Sequence, residues 1–124
     1  MIIKIEKDGD RKDDYDFKEC MKYAPFEIKD VSEILACVPG EADGPSWHYI
    51  VKLSSGDYGY VTGSCDYTGW GCQESGDGKQ EKTLKKVLIH APEEDGYSEK
   101  RLVRKILENQ IKGKEPYGSY TITQ

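Results

Sequence analysis

The apolar positions along the chain follow two periods. Phe17, Cys20, Met21 and Ala24 recur at i, i+3, i+4 and i+7, the spacing of one helix face, so a helix is predicted over residues 15–24, with Pro25 helping to end it. Residues 31–38 are then rich in apolar side chains, and a turn segment with prolines and glycines follows over 39–45. From 47 to 53 the period becomes two: Trp47, Tyr49, Val51 and Leu53 share one face, and His48, Ile50 and Lys52 the other. A tight turn over 54–57 leads into Tyr58-Gly59-Tyr60-Val61-Thr62-Gly63. Three strands joined by turns form an antiparallel meander.

Helical spacing returns after Thr83, at Leu84, Val87, Leu88 and Ala91, and Pro92 closes that segment. A final helix is marked by Leu102, Val103, Ile106, Leu107 and Ile111, with Ser98 as N-cap, Gly113 at the C′ position and Pro116 beyond. Glu108 and Lys112 add a favourable i,i+4 pair. Between these regions, Gly63, Gly69, Gly71, Gly76 and Gly78 punctuate a polar stretch that reads as one long loop. Residues 1–13 read as a polar arm or short strand, and 117–124 as a tail or edge strand. The expected fold is α+β, a small antiparallel sheet of about three strands with about three helices against one face.

Length and charge narrow the possibilities. A chain of 124 residues suits a single domain over 1–124 and needs neither disulfides nor metal to build a core. Acidic residues number 23 against 18 basic, a net charge of −5, which disfavours direct nucleic-acid binding. The basic group Lys100, Arg101, Arg104 and Lys105 is flanked by Glu99 and Glu108. The early acidic run Asp8, Asp10, Asp13, Asp14, Asp16 is interleaved with Lys7, Arg11, Lys12 and Lys18, as on a solvated segment. No apolar run is long enough to span a bilayer. The N-terminus lacks the apolar stretch of a signal peptide, so a cytoplasmic location is expected. In that compartment Cys20, Cys37, Cys65 and Cys72 are expected as thiols. The single close pair, Cys65-x6-Cys72, fits neither a zinc finger nor a redox C-x-x-C, and no metal or cofactor is expected.

The distinctive segment is 56–73, where three tyrosines, a tryptophan and two cysteines alternate with glycines. Two arrangements suit this composition. In one, Tyr58, Tyr60, Tyr67 and Trp70 anchor a protein partner while Asp57 and Asp66 supply polar contacts. In the other, Tyr67 and Trp70 fold back to cap a minor core. The strand over 47–53, the Gly-Asp-Tyr-Gly-Tyr that follows, and Cys65-Asp66-Tyr67-Thr68-Gly69-Trp70-Gly71-Cys72 resemble a group of short, uncharacterised bacteriophage and bacterial proteins sharing a C-D-Y-T-G-W-x-C motif. Residues 107–118 are similar to the helix ending in that group. The resemblance implies a phage or mobile-element setting, in which small acidic proteins often bind a host protein, and it carries over no catalytic residue.

Enzyme motifs are missing. Gly78-Lys79 is followed by Gln80 and lacks the upstream glycine of a phosphate-binding loop; neither a metalloprotease H-E-x-x-H nor a calcium-loop pattern occurs. His48 is expected on the second face of its strand, open to solvent, and His90 near a helix C-terminus, where the dipole explains it. The expected function is therefore that of a non-enzymatic binding protein acting on a bacterial host protein, such as a defence component inhibited in an anti-CRISPR-like manner. Two alternatives come from other classes. One is a metal- or thiol-dependent site on Cys65 and Cys72, completed by Cys20, Cys37, His48 or His90. The other is an accessory structural component that self-assembles through an exposed edge strand.

Overall fold

The computed structural model describes residues 2–7, 15–40, 46–65, 70–71, 73–94, 101–113 and 118–123, of which 2–7 and 118–123 are described by their backbone alone. Strand β1 (Ile2–Lys7) is followed by helix α1 (Tyr15–Cys20), which tightens into a 3₁₀ turn (Met21–Tyr23); a second 3₁₀ turn (Ile28–Asp30) leads into β2 (Val31–Val38). Then come β3 (Ser46–Leu53), β4 (Tyr58–Ser64), β5 (Ser75–Glu81), α2 (Leu84–Leu88), α3 (Val103–Ile111) and β6 (Gly118–Thr123). Strands β2-β3-β4-β5 form an antiparallel meander, and β1 pairs with β6 in a separate two-stranded ladder.

The α+β class is as expected, and the sheet has four strands rather than about three. The additional strand, β5, begins inside the stretch expected to be a loop, which ended at Gly78, and runs on to Glu81. Its glycines act as spacers, not breakers. Gly59 and Gly63 of β4 and Gly76 and Gly78 of β5 share one sheet face, over which the segment from Cys20 to Phe26 passes at close range. A Cβ at Gly59 would overlap the Phe26 ring, and one at Gly76 would sit 2.6 Å from the Thr62 carbonyl oxygen as well as in the Tyr23 ring.

Helices cover both faces of the sheet, not one. On the first face, Phe17, Cys20, Met21 and Phe26 pack on Val31, Cys37, Trp47, Tyr49, Val51, Leu53 and Val61. On the second, Val87, Ala91, Val103, Ile106 and Leu107 from the C-terminal helices pack on Ala36, Val38, Ile50 and Tyr60. Central β3 is consequently buried on both sides and does not show the clean apolar–polar alternation of a half-covered strand. Two register shifts in β2, between Val31 and Glu33 and between Ile34 and Ala36, mark bulges in its pairing with β3. They let Val31, Ile34 and Cys37, which strict alternation would separate, face the same core.

The helix signals in the sequence are realised locally. Thr83 caps α2, its hydroxyl accepting from the Lys86 amide at 3.2 Å. Helix α3 starts at Val103 with Leu102 as its N-cap and no side-chain cap, not at the expected Ser98, which lies outside the described residues. Gly113 follows its C-cap at φ +71°, and Lys112 bonds Glu108 at 2.7 Å. Arg104 of α3 donates to the Ile89 and Ala91 carbonyls at the end of α2, tying the two helices together.

Candidate functional site

Tyr15 opens α1, and its side chain is 61% exposed. One residue on, Asp16 accepts a hydrogen bond from the Trp70 indole, Nε1 to Oδ1 at 2.7 Å. Trp70 thereby folds back over α1. Its ring lies 4.7 Å from that of Trp47 at an interplanar angle of 36°, half-buried against the first core. Just beyond, Gly71 takes a positive φ of 93° and its amide donates to Glu74 Oε2 at 3.1 Å. Lys22 links the two segments, pairing with Glu19 one turn back along the helix and with Glu74 at 3.5 Å.

The electrostatics follow from these contacts. The Lys22 ammonium and the Tyr15 hydroxyl both hydrogen-bond Glu19, holding its carboxyl below its usual value of 4.5. The same carboxylate raises the Lys22 ammonium and the Tyr15 phenol above their ordinary values. Tyr23 is raised as well, first by burial and then by its hydrogen bond to Glu74. The result is a patch of three aromatics, Tyr15, Tyr23 and Trp70, set among the carboxylates of Asp16, Glu19 and Glu74, with Lys22 between them. Such a patch joins broad amphipathic contact area to polar groups, the composition of a protein interface.

The residues expected to anchor a partner are not gathered on one open surface. Tyr60 is 4% exposed and belongs to the second core, where its hydroxyl meets His48 Nδ1 at 2.9 Å. Tyr58 is half-buried against that same core. Asp57 closes the β3–β4 turn, accepting from Gln80 Nε2 at 2.8 Å and lying 3.6 Å from Lys82. Trp70 adopts the folded-back arrangement, while Asp66 and Tyr67 lie outside the described residues.

The histidines also differ from expectation. His48 is 3% exposed, because the second face of β3 is covered by helices. His90 bonds Glu81 through Nε2 at 2.6 Å, so a specific carboxylate accounts for it instead of the helix dipole. Cys20 and Cys37 are buried in the first core and Cys65 packs at its margin; Cys72 lies outside the described residues. Among the described residues, no group of three or more His, Cys, Asp or Glu side chains is placed to hold a metal ion.

Arg101, read from sequence as part of a basic group, is fully buried. Its guanidinium donates to the Pro39 carbonyl and, at 2.7 Å, to that of Ser46, clamping the ends of β2 and β3 together. A cleft of about 250 Å³ lies beside the β3–β4 turn, bordered by Pro25, Phe26, Asp30 and Gln80. No described helix is long and apolar enough to cross a membrane. Comparison with protein-family models, curated proteins and solved structures finds no match to this chain.

Proposed function

We propose that this chain is a small non-enzymatic binding protein of phage or mobile-element type, acting in the cytoplasm on a bacterial host protein. The contact surface in this reading is the Tyr15–Tyr23–Trp70 patch, not the broader aromatic segment. The observation that carries it is the exposure of Tyr15, 61% open beside the half-buried Trp70 and Tyr23. The other strongly exposed large apolar side chain among the described residues, Ile89, caps the C-terminus of α2, whose Val87 packs on the second face of the sheet. Asp16, Glu19 and Glu74 give the patch an acidic character, which suits a partner surface carrying arginine or lysine.

The binding reading is supported by how the described polar groups are used. His48 holds Tyr60, His90 holds Glu81, Arg101 joins two strand ends, and Asp57 ties the turn to β5. Each of these side chains has a structural partner, and catalysis is not needed to explain its position. The test is capture of a partner from host lysate on immobilised protein, followed by affinity measurement with Tyr15→Ala. The expected result is a loss of about tenfold or more, as for an interface hot spot, with the native circular dichroism spectrum retained. An unchanged affinity overturns the assignment of this patch.

A further inference from the structure

The two edges of the four-stranded sheet are finished differently. At the β2 edge, Gln110 of α3 presents its side-chain amide to the Cys37 peptide group. Its Oε1 accepts from the Cys37 amide and its Nε2 donates to the Cys37 carbonyl, both at 2.9 Å. Those two bonds imitate a neighbouring strand and close the edge at that residue. At the other edge, β5 has no further strand beside it among the described residues. Ser75, Gly76, Asp77, Lys79 and Gln80 are all exposed, and the Gly78 amide is met by the Asp77 carboxylate beside it, at 2.8 Å.

Strand β5 reads Ser75-Gly76-Asp77-Gly78-Lys79-Gln80-Glu81, and its charges are complementary about its own centre. If a second β5 is laid antiparallel, with a two-fold axis through Gly78 perpendicular to the sheet, Gly78 faces Gly78 of the other copy. Asp77, whose carboxylate lies 3.6 Å from the ammonium of its own Lys79 in the single chain, then faces the other copy's Lys79, and Lys79 its Asp77. Gly76 falls opposite Gln80, and Ser75 opposite Glu81. Both ion pairs lie on one sheet face, where directly opposed unlike charges stabilise pairing and like charges oppose it. Moving the axis to Asp77 or to Lys79 places identical charges against each other. The Gly78 register is also the one that uses all seven residues of the strand. We infer that β5 is a self-complementary edge through which two copies of this chain pair, joining their sheets into one of eight strands. The association is isologous, so each copy contributes the same seven residues. The same charges disfavour pairing in shifted registers and with unrelated edges.

Sedimentation equilibrium of the full chain, with charge reversal and charge exchange, tests this inference. The wild type is expected to show a reversible monomer–dimer equilibrium. Asp77→Lys and Lys79→Asp should each weaken the dimer about tenfold or more, since each turns two attractive pairs into two repulsive ones. The double exchange D77K/K79D should restore the dimer constant to within about threefold of the wild type. Both side chains are exposed, so circular dichroism should show every variant folded. A wild type that stays monomeric at millimolar concentration overturns the inference, as do single reversals without effect or an exchange that fails to restore pairing. Tyr15→Ala should leave the dimer constant unchanged, which separates this edge from the aromatic patch.

Discussion

Gly59 shows how strongly one position can be constrained by what passes over it. The Phe26 ring occupies the space where a side chain would begin, and a Cβ would also come 2.9 Å from Val51 Cγ2. Gly59→Ala is therefore expected to destabilise the fold by about 1–3 kcal/mol, the usual cost of forcing a methyl group into a packed core. Urea unfolding measures it directly, and an unchanged midpoint would mean that the Phe26 ring yields readily. Residues of this kind are hard to read in a sequence, because a glycine in a turn and a glycine under an aromatic ring look alike. His48 and Arg101 were opaque for a related reason. Their partners, the Tyr60 hydroxyl and the Pro39 and Ser46 carbonyls, come from distant parts of the chain, and local spacing carries no trace of them. The apolar face of β3 was legible because Trp47, Tyr49, Val51 and Leu53 announce it through period two alone.

At the scale of elements, helix stripes lie largely where their spacing indicates, since those signals act within a few residues, whereas α3 is capped at Leu102 and not at Ser98. β5 does not announce itself: Ser75–Glu81 lacks any apolar alternation, and it is a strand because β4 pairs with it and its glycines admit the segment above. The closure of β2 by Gln110 makes a second prediction. Gln110→Met keeps the bulk while removing both bonds to the Cys37 peptide, and about 2–3 kcal/mol of stability should be lost. The Cys37 amide should also exchange with solvent faster, and retained protection would contradict the assigned role.

The α1 contacts carry a pH dependence. Glu19 has a lowered folded-state pKa, so its stabilising effect is present above its usual 4.5 and is lost as pH falls through the folded value. Lys22 has a raised one, so its contribution is present below 10.5 and is lost as pH rises through the folded value. The α1 segment should be firmest between those limits. Glu19→Gln should flatten the acid limb in a series of thermal melts, and an unaltered acid limb would show that the carboxylate does not contribute.

For the whole molecule, the structure divides its surfaces by use. Helices cover both faces of the sheet, Gln110 closes part of one edge, and β5 leaves the other open among the described residues. The aromatic segment that drew attention in the sequence is split by this arrangement. Tyr60 and Tyr58 go to the second core, whereas Trp70 crosses to α1. Of the three aromatics in the candidate patch, only Trp70 was thus visible as part of an aromatic motif. Tyr15 and Tyr23 were not, because their nearness to Trp70 and Glu74 arises only when residues more than fifty positions apart are folded together. Apolar and amphipathic surface left exposed in this way is informative at the scale of the molecule, since a single side chain such as Ile89 would not by itself define an interface.

The measurement that bears most directly on the binding account is titration calorimetry of the captured host partner against the wild type, Tyr15→Ala and, as a control on the opposite face, Ile89→Ala. The account predicts an affinity loss of about tenfold or more for Tyr15→Ala alone, with all three proteins giving the same circular dichroism spectrum. Equal affinities for the wild type and Tyr15→Ala, or a loss confined to Ile89→Ala, would contradict it.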